Sequence, residues 1–277
     1  MLRVTFGLLA IFLNGPAFSA EGSRRVSAPS YSASSIVNAA SNQAGPIAPN
    51  TIVSLYGTDL AFATRSIGPE DLRGHVLPTT LSGTGVRIIV GLINANVYYI
   101  SPTQINLLVP ASLGPGAFNI QVGVDGRYGP AIRLNLARSS PALFQSDLQF
   151  VVGQRPDASA IDKEHPAHPG EIIVLYATGL GIADPNLPDG QLPTAAYSIQ
   201  RAAEFRVSLS GKVLDRSAVQ YVGVTPGFAG LYQVNLKLPD TVDENPEIRI
   251  GFDEQMSPPN ILLPLKVEQS TATNPTN

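Results

Sequence analysis

The sequence predicts an all-β protein built as two tandem β-sandwiches related by an internal repeat. Three observations carry that prediction. The first is composition: 25 Gly and 24 Pro stand among 277 residues, above the roughly 7% and 5% of an average chain. Charged residues are only 14%, against about 25% in a usual soluble protein. With 44% hydrophobic residues, this turn-rich, charge-poor chain suits many short strands around a sizeable core. The second is a repeat of four blocks in the same order. Pro49-Asn-Thr-Ile-Val-Ser-Leu-Tyr-Gly-Thr-Asp-Leu60 matches Pro169-Gly-Glu-Ile-Ile-Val-Leu-Tyr-Ala-Thr-Gly-Leu180, and Leu77-Pro-Thr-Thr80 matches Leu192-Pro-Thr-Ala195. Gln104-Ile-Asn-Leu-Leu-Val-Pro110 matches Gln233-Val-Asn-Leu-Lys-Leu-Pro239, and Ile120-Gln-Val-Gly-Val124 matches Ile248-Arg-Ile-Gly-Phe252. The offsets are 120, 115, 129 and 128, the drift that loop insertions between fixed strands produce. The third is period-two patterning within the blocks. Ile105, Leu107 and Val109 alternate with Gln104, Asn106 and Leu108, as Val234, Leu236 and Leu238 do with Gln233, Asn235 and Lys237. Such alternation puts the aliphatic set on one face of a strand.

Taken along the chain, Arg3, the apolar run Val4–Leu13 and the small residues Ala17, Ser19 and Ala20 form a secretory signal over 1–20, cut after Ser19 or Ala20. The run is about half the ~20 residues of a membrane span, so no span is expected after cleavage. Residues 21–35 are Ser/Ala-rich with little to bury and read as a flexible leader. Sandwich 1 is assigned to 36–144 and sandwich 2 to 145–267. Val86–Ile100 reads as a hairpin bent at Gly91–Ala95, and Phe205–Val213 has a similar bend at Ser210-Gly211-Lys212. Pro110 and Pro239 close their strands because proline has no N–H to give a ladder. Thr194–Phe205 is the sole, weak helix candidate. Leu77–Thr80 begins like a wall-sorting signal, but Leu81 replaces the needed Gly, so it reads as a turn. The Ser/Thr/Asn/Pro tail 268–277 reads as disordered.

Composition also excludes. With no Cys, disulfides, thiolate nucleophiles, zinc-thiolate sites, iron–sulfur clusters and lipid anchoring on Cys all fall away. A formal charge of -3 argues against nucleic acid or an anionic membrane surface as partner.

At Tyr99-Ile-Ser-Pro-Thr-Gln-Ile-Asn-Leu-Leu-Val-Pro110 the chain resembles the Solibacter uncharacterised C-terminal domain family of secreted bacterial proteins. Val37–Ser41, Ile52–Gly57, Pro169–Gly181 and Gly230–Asn235 carry the same resemblance, which spans about residues 36–267. It implies tandem immunoglobulin-like modules of the IPT/TIG kind, found at the end of larger exported proteins and without an established activity. Lacking Cys and Trp, such a sandwich has no disulfide pinned under a tryptophan. Its core must rest on Leu, Ile, Val, Phe and Tyr.

The candidate sites are few. Gly179-Leu-Gly181 follows a strand, but Asp184 stands in place of the third Gly of a dinucleotide fingerprint, and Pro185 and Pro188 block its helix. It reads as a turn. His165 and His168, near Asp162 and Glu164, sit between Pro166 and Pro169 in an extended segment where the two rings need not share a face. Asp184–Gly190 lacks the spacing of a calcium loop and has ordinary turn chemistry. No Gly-x-Ser-x-Gly and no nucleophile–base set is present, so catalytic residues, metal and cofactors are all expected to be none. Gln104, Asn106, Gln233 and Asn235 are candidate interface or structural amides. They either satisfy the backbone of a neighbouring loop or line a contact between modules or with a partner. Tyr98, Tyr99, Tyr128, Tyr221 and Tyr232 are core or rim aromatics, or else sugar-stacking platforms. The expected role is a non-catalytic exported interaction or accessory protein, in periplasm, on the surface or in the medium. Its partner is then an unknown protein or a cell-envelope glycan. The alternatives are a polysaccharide-binding module using exposed Tyr and Asn/Gln, and, less favoured, a hydrolase with a deep, acid-lined pocket.

Overall fold

The computed structural model describes residues 27–147 and 149–267. The expected signal segment 1–20, residues 21–26 of the leader and the tail 268–277 lie outside the described residues. The protein is all-β: strands alternate with turns, and among the described residues helix occurs only as four three-residue 3-10 turns. The helix candidate Thr194–Phe205 reduces to one of these, Ala202–Glu204.

The first half carries β1 (Ile36–Asn38), β2 (Ile52–Tyr56), β3 (Arg65–Ser66), β4 (Val86–Val90), β5 (Ile93–Asn94), β6 (Asn96–Ile100), β7 (Gln104–Leu108), β8 (Gly116–Val124), β9 (Arg127–Tyr128) and β10 (Ile132–Leu136). They form one sheet in the order β1-β2-β7-β6-β3 and a second in the order β10-β8-β4-β5, with β9 also on β8. The second half has β11 (Ala142–Leu143), β12 (Gln145–Ser146), β13 (Phe150–Val151), β14 (Gly153–Gln154), β15 (Ala160–Ile161) and β16 (Ile172–Thr178). It continues with β17 (Arg206–Leu209), β18 (Lys212–Val213), β19 (Val219–Val224), β20 (Tyr232–Lys237), β21 (Ile248–Phe252) and β22 (Gln255–Met256). Its sheets run β15-β14-β16-β20-β19, with β11 also on β16, and β18-β17-β21-β22, beside the small β12-β13 pair.

The sequence repeat reappears in the pairing register. Leu55 pairs with Ile105 and Val53 with Leu107. Their repeat equivalents Leu175 and Ile173 pair with Val234 and Leu236. Val122 pairs with Ile88, and Ile250 with Val207. Even the irregularities recur: β6 bulges between Val97 and Tyr99 against β7, and β19 between Val219 and Tyr221 against β20. A bulge re-aims the side chains that follow it. Here it sets Tyr99 opposite Asn106 and Tyr221 opposite Asn235.

Each half has its own aliphatic core, Leu55, Ile88, Val97, Ile105, Leu107 and Val122 in the first. In the second, Ile173, Leu175, Val207, Val234, Leu236 and Ile250 surround an edge-to-face pair of Phe205 and Phe252, 5.9 Å apart. The alternate positions of the same strands do not face water. Ile52, Leu77, Tyr98 and Leu108 of the first half meet Phe144, Val174, Tyr176, Leu192 and Leu231 of the second in a third buried cluster. Burying one such side chain is worth roughly 1.5–3 kcal/mol, so a few of them rival the 5–15 kcal/mol of a whole domain. Hydrogen bonds stitch this seam. The Tyr98 hydroxyl donates to the Ala229 carbonyl at 2.6 Å, the Ile52 N–H to Thr178 Oγ1 at 3.0 Å, and Asn50 Nδ2 to the Tyr232 hydroxyl at 2.8 Å. The two Leu-Pro-Thr blocks bind each other reciprocally. Leu77 N–H donates to Gly190 O at 2.9 Å and Leu192 N–H to His75 O at 2.7 Å, around a bridge of Val76 and Gln191. At the 115-residue offset Val76 meets its own repeat equivalent, Gln191, and the two flanking bonds exchange the equivalents of His75 and Leu77, which makes the seam locally two-fold.

Three expectations need correction. Residues 30–35 are not a flexible leader: Ser30 pairs with Thr58, and Tyr31 is buried in the first core. The Tyr31 hydroxyl donates to Pro130 O at 2.7 Å and accepts from the Val122 N–H at 2.8 Å. The boundary between halves lies earlier than 144/145, because Ala142 and Leu143 pair with Thr178 and Ala177 in the second half's sheet. Val86–Ile100 is not one hairpin. β4 turns only into the two-residue β5, and after the buried Ala95 the chain crosses to the other layer, where β6 pairs with β7.

Replacing Tyr98 by Phe leaves the buried Ala229 carbonyl without its donor. The expected loss in urea unfolding, followed by far-UV circular dichroism, is about 1–3 kcal/mol. An unchanged midpoint would show that the bond across the seam contributes nothing.

Candidate functional site

Each glutamine of the two amide pairs bonds along its own strand to the asparagine two residues on. Gln104 Nε2 donates to Asn106 Oδ1 at 2.9 Å, and Ser54 Oγ on the neighbouring strand donates to the same oxygen at 3.0 Å. In the second half Gln233 Nε2 donates to Asn235 Oδ1 at 2.7 Å. Residues two apart on a strand project to the same face, here the face that also carries Leu108 into the seam. Asn106 and Gln233 are buried and Gln104 and Asn235 half-buried.

The other sequence candidates are absorbed by architecture. Gly179 and Gly181 both have positive φ, 78° and 89°. A Cβ would come 2.0 Å from Ser140 O at the first and 2.8 Å from Arg138 O at the second, so they are glycines of close backbone approach. Asp162 caps its own turn: its carboxylate accepts from the His165 N–H at 2.7 Å and lies 3.1 Å from His165 Nδ1. The backbone bond foremost holds that carboxyl below its ordinary range. Among the described residues no group of three metal-ligating side chains occurs. In the Asp184–Gly190 turn, Asp189 accepts from the Ser112 N–H at 2.8 Å and Ser112 Oγ at 2.6 Å, docking the second half on the first. Tyr98 and Tyr232 are buried in seam and core, where burial raises their pKa values. Tyr99 is buried as well. The half-buried Tyr221 hydroxyl reaches the carbonyls of Tyr197 and Val224, and burial pushes its pKa to about 12.

Tyr128 alone of these five is exposed, at 48%, and it stands in a cleft. Strands β9, β8 and β4 lie side by side: Tyr128 pairs with Gly123, and Gly123 with Arg87. Directly paired residues share a face. Val122 and Val124 point into the core, so the row Arg87–Gly123–Tyr128 looks outward. The missing side chain of Gly123 makes the gap, and the tyrosine ring lies over it. A Cβ there would meet Tyr128 Cε1 at 2.6 Å and Cδ1 at 2.9 Å. The Asp125-Gly126 turn and Thr80 complete a cleft of about 340 Å³, at the small end of the roughly 300–1,000 Å³ of ligand sites. Gly85, also on its wall, carries the half-exposed Phe62 ring in the same manner, 3.0 Å from a would-be Cβ. Arg87 and Asp125 are exposed and form no ion pair or side-chain hydrogen bond with the described residues. Of these residues the sequence singled out only Tyr128. Arg87 is an outward position of an alternating strand and Asp125 a turn residue, and both types are too common to signal a site.

The repeat offers an internal comparison. At the 128-residue offset the second half has Gly251 for Gly123, Asp253 for Asp125, Glu254 for Gly126 and Met256 for Tyr128. Gly251 pairs with Arg206 and Met256 as Gly123 pairs with Arg87 and Tyr128. There the charges are spent. Arg206 Nε lies 3.6 Å from Asp253. Arg201 joins Glu204 and Glu254 at 2.5 Å each while its guanidinium stacks 4.2 Å over the Phe252 ring. The hydrogen bonds from Arg201 hold both glutamates below the usual carboxylate range.

No family model matches the chain, and no curated protein matches it. Solved structures do. One is the surface glycan-binding protein SGBP-B of the Bacteroides ovatus mixed-linkage glucan utilization locus, in complex with a mixed-linkage heptasaccharide. It is 10% identical at a TM-score of 0.32, over 80% of this chain and 44% of that one. The surface glycan-binding protein PbSGBP-B of Prevotella bryantii is 11% identical at a TM-score of 0.25, over 83% and 41%. Domains 5–6 of the S-layer protein SbsC are 7% identical at a TM-score of 0.28, over 87% and 100%. The chain spans less than half the length of either glycan-binding protein.

The amide ladders are unequal, and so are the expected costs of removing them. Asn106→Ala orphans a buried cluster and should cost about 1–3 kcal/mol, whereas Asn235→Ala, half-exposed, should cost under about 1 kcal/mol. Chemical denaturation of the two variants reads the difference, and equal costs would count against the assignment.

Proposed function

We propose that this chain is a non-catalytic exported interaction protein, in which two sandwiches fused into one body present the outer cleft of the first. The observation that carries this reading is where polar groups remain uncommitted. The glutamine–asparagine pairs, the Tyr98 and Tyr232 hydroxyls and Asp189 of the Asp184–Gly190 turn are consumed in ladders and in the seam. Arg87, Asp125 and Tyr128 keep their functional groups for something else. The cleft walls carry one carboxylate, Asp125, where glycoside hydrolysis ordinarily needs a pair about 5–10 Å apart. Binding therefore suits the cleft better than turnover. Export rests on the signal pattern at the N-terminus, and membership of the Solibacter C-terminal domain family belongs to the same proposal. No helix among the described residues is long and apolar enough to cross a membrane.

A second reading, polysaccharide binding, is favoured by one feature: the exposed Tyr128 ring beside hydrogen-bonding groups of both polarities.

The test uses the full chain expressed in a bacterial host. Mass spectrometry of the exported fraction should find a mature N-terminus at Ala20 or Glu21. The immobilised mature protein should retain an envelope protein or glycan saturably and hydrolyse no chromogenic ester or glycoside. An intact Met1 in the cytosol, or steady turnover of any of those substrates, contradicts the proposal.

A further inference from the structure

We propose that the cleft of the first half is a binding site for a neutral saccharide, one sugar ring stacked on Tyr128 and its hydroxyls shared between Arg87 and Asp125, and that the second half has lost or never had the equivalent site. This rests on the reading of the chain as a binding protein and gives that reading a ligand class.

Three features of the cleft lead there. Tyr128 is seated on the backbone of Gly123 and still 48% exposed. A ring held flat from one side offers its other side as a rigid apolar platform that loses little side-chain entropy on binding. Arg87 and Asp125 then set the charge of the ligand. A guanidinium donates hydrogen bonds only, and an ionised carboxylate accepts only. An anion in the cleft would oppose Asp125, and a cation would oppose Arg87. A hydroxyl both donates and accepts, so a neutral polyol satisfies both rims at once. Finally, a cleft of about 340 Å³ holds a ligand of one or a few rings.

The second half shows what the same scaffold does without such a ligand. Its row Arg206–Gly251–Met256 has no aromatic platform. Asp253 has swung onto Arg206 at 3.6 Å, and Glu254 onto Arg201 at 2.5 Å. Because one strand frame supports both arrangements, the free charges of the first half are not forced by the fold. Binding is accordingly one site per chain.

Affinity gel electrophoresis of the mature protein in soluble β-glucan, arabinoxylan, galactomannan and, as an anionic comparator, alginate tests this. At least one neutral polysaccharide should retard the wild type. Tyr128→Ala should weaken that retardation roughly tenfold, the loss of about 1.4 kcal/mol. Tyr128→Phe should keep it, Arg87→Ala should reduce it severalfold, and Met256→Ala should leave it unchanged. Thermal unfolding of each variant confirms that the fold is intact. Retardation by a neutral polysaccharide that survives Tyr128→Ala overturns the site while leaving the binding reading standing. Retardation by alginate alone overturns the ligand class. No retardation in any polysaccharide overturns the inference outright, and retention of an envelope protein by the immobilised chain then decides the broader proposal separately.

Discussion

A sandwich strand has two faces, and in this protein the outer faces of the central strands are nearly as apolar as the inner ones. Leu108, Tyr98 and Ile52 on one side and Val174, Tyr176 and Leu231 on the other cannot all be left in water without a large hydrophobic cost. The sheets β2-β7-β6 and β16-β20-β19 therefore bury those faces against each other. The remaining geometry follows from that constraint. Gly230 has φ 72° and no room for a Cβ, which would come 2.4 Å from Leu108. The Leu-Pro-Thr blocks, remote from their own cores, are held because each pairs with the other. Tyr98, Thr178 and Asn50 bond across the seam, as burial without a partner would be costly, while the buried Tyr176 hydroxyl at the same seam has no hydrogen-bond partner.

Duplication explains why one seam and one cleft suffice. Both halves share the order of their central strands (β2-β7-β6 with β16-β20-β19, β8-β4 with β21-β17), the same bulge and the same Gln-x-Asn ladder. The seam uses equivalent surfaces of both, so it occupies them both. The outer sheets, β10-β8-β4-β5 and β18-β17-β21-β22, are released from that duty. They have diverged: one ties its charges into Arg201 and Arg206 pairs, and the other leaves Arg87 and Asp125 open beside Tyr128.

Much of the frame was legible because strand physics is periodic. The four repeated blocks became β2/β16, the Leu-Pro-Thr pair, β7/β20 and β8/β21, with Ile105, Leu107, Val234 and Leu236 inward. The failures fall where a single residue outweighs its surroundings. Tyr31 anchors a Ser/Ala-rich segment that composition alone describes as unable to bury anything. Ala95 marks a crossover between layers, yet the apolar runs on either side of it read as a hairpin, because sequence does not say which strand a strand will pair with. On β7 the amides Gln104 and Asn106 mark the second face as polar, yet Leu108 on that same face joins Val174 and Tyr176 of β16 in the seam. The cleft was hidden for a related reason. Arg87 is far in sequence from Gly123 and Tyr128, and the three meet only through two strand registers.

The account stands on the seam making one cooperative body of two sandwiches. Scanning calorimetry of the intact chain measures this directly, through the ratio of calorimetric to van't Hoff enthalpy. A single endotherm with a ratio near one is the predicted result. Two resolved endotherms, or a ratio near two, would mean that the halves unfold independently and that the buried contacts between them do not couple them.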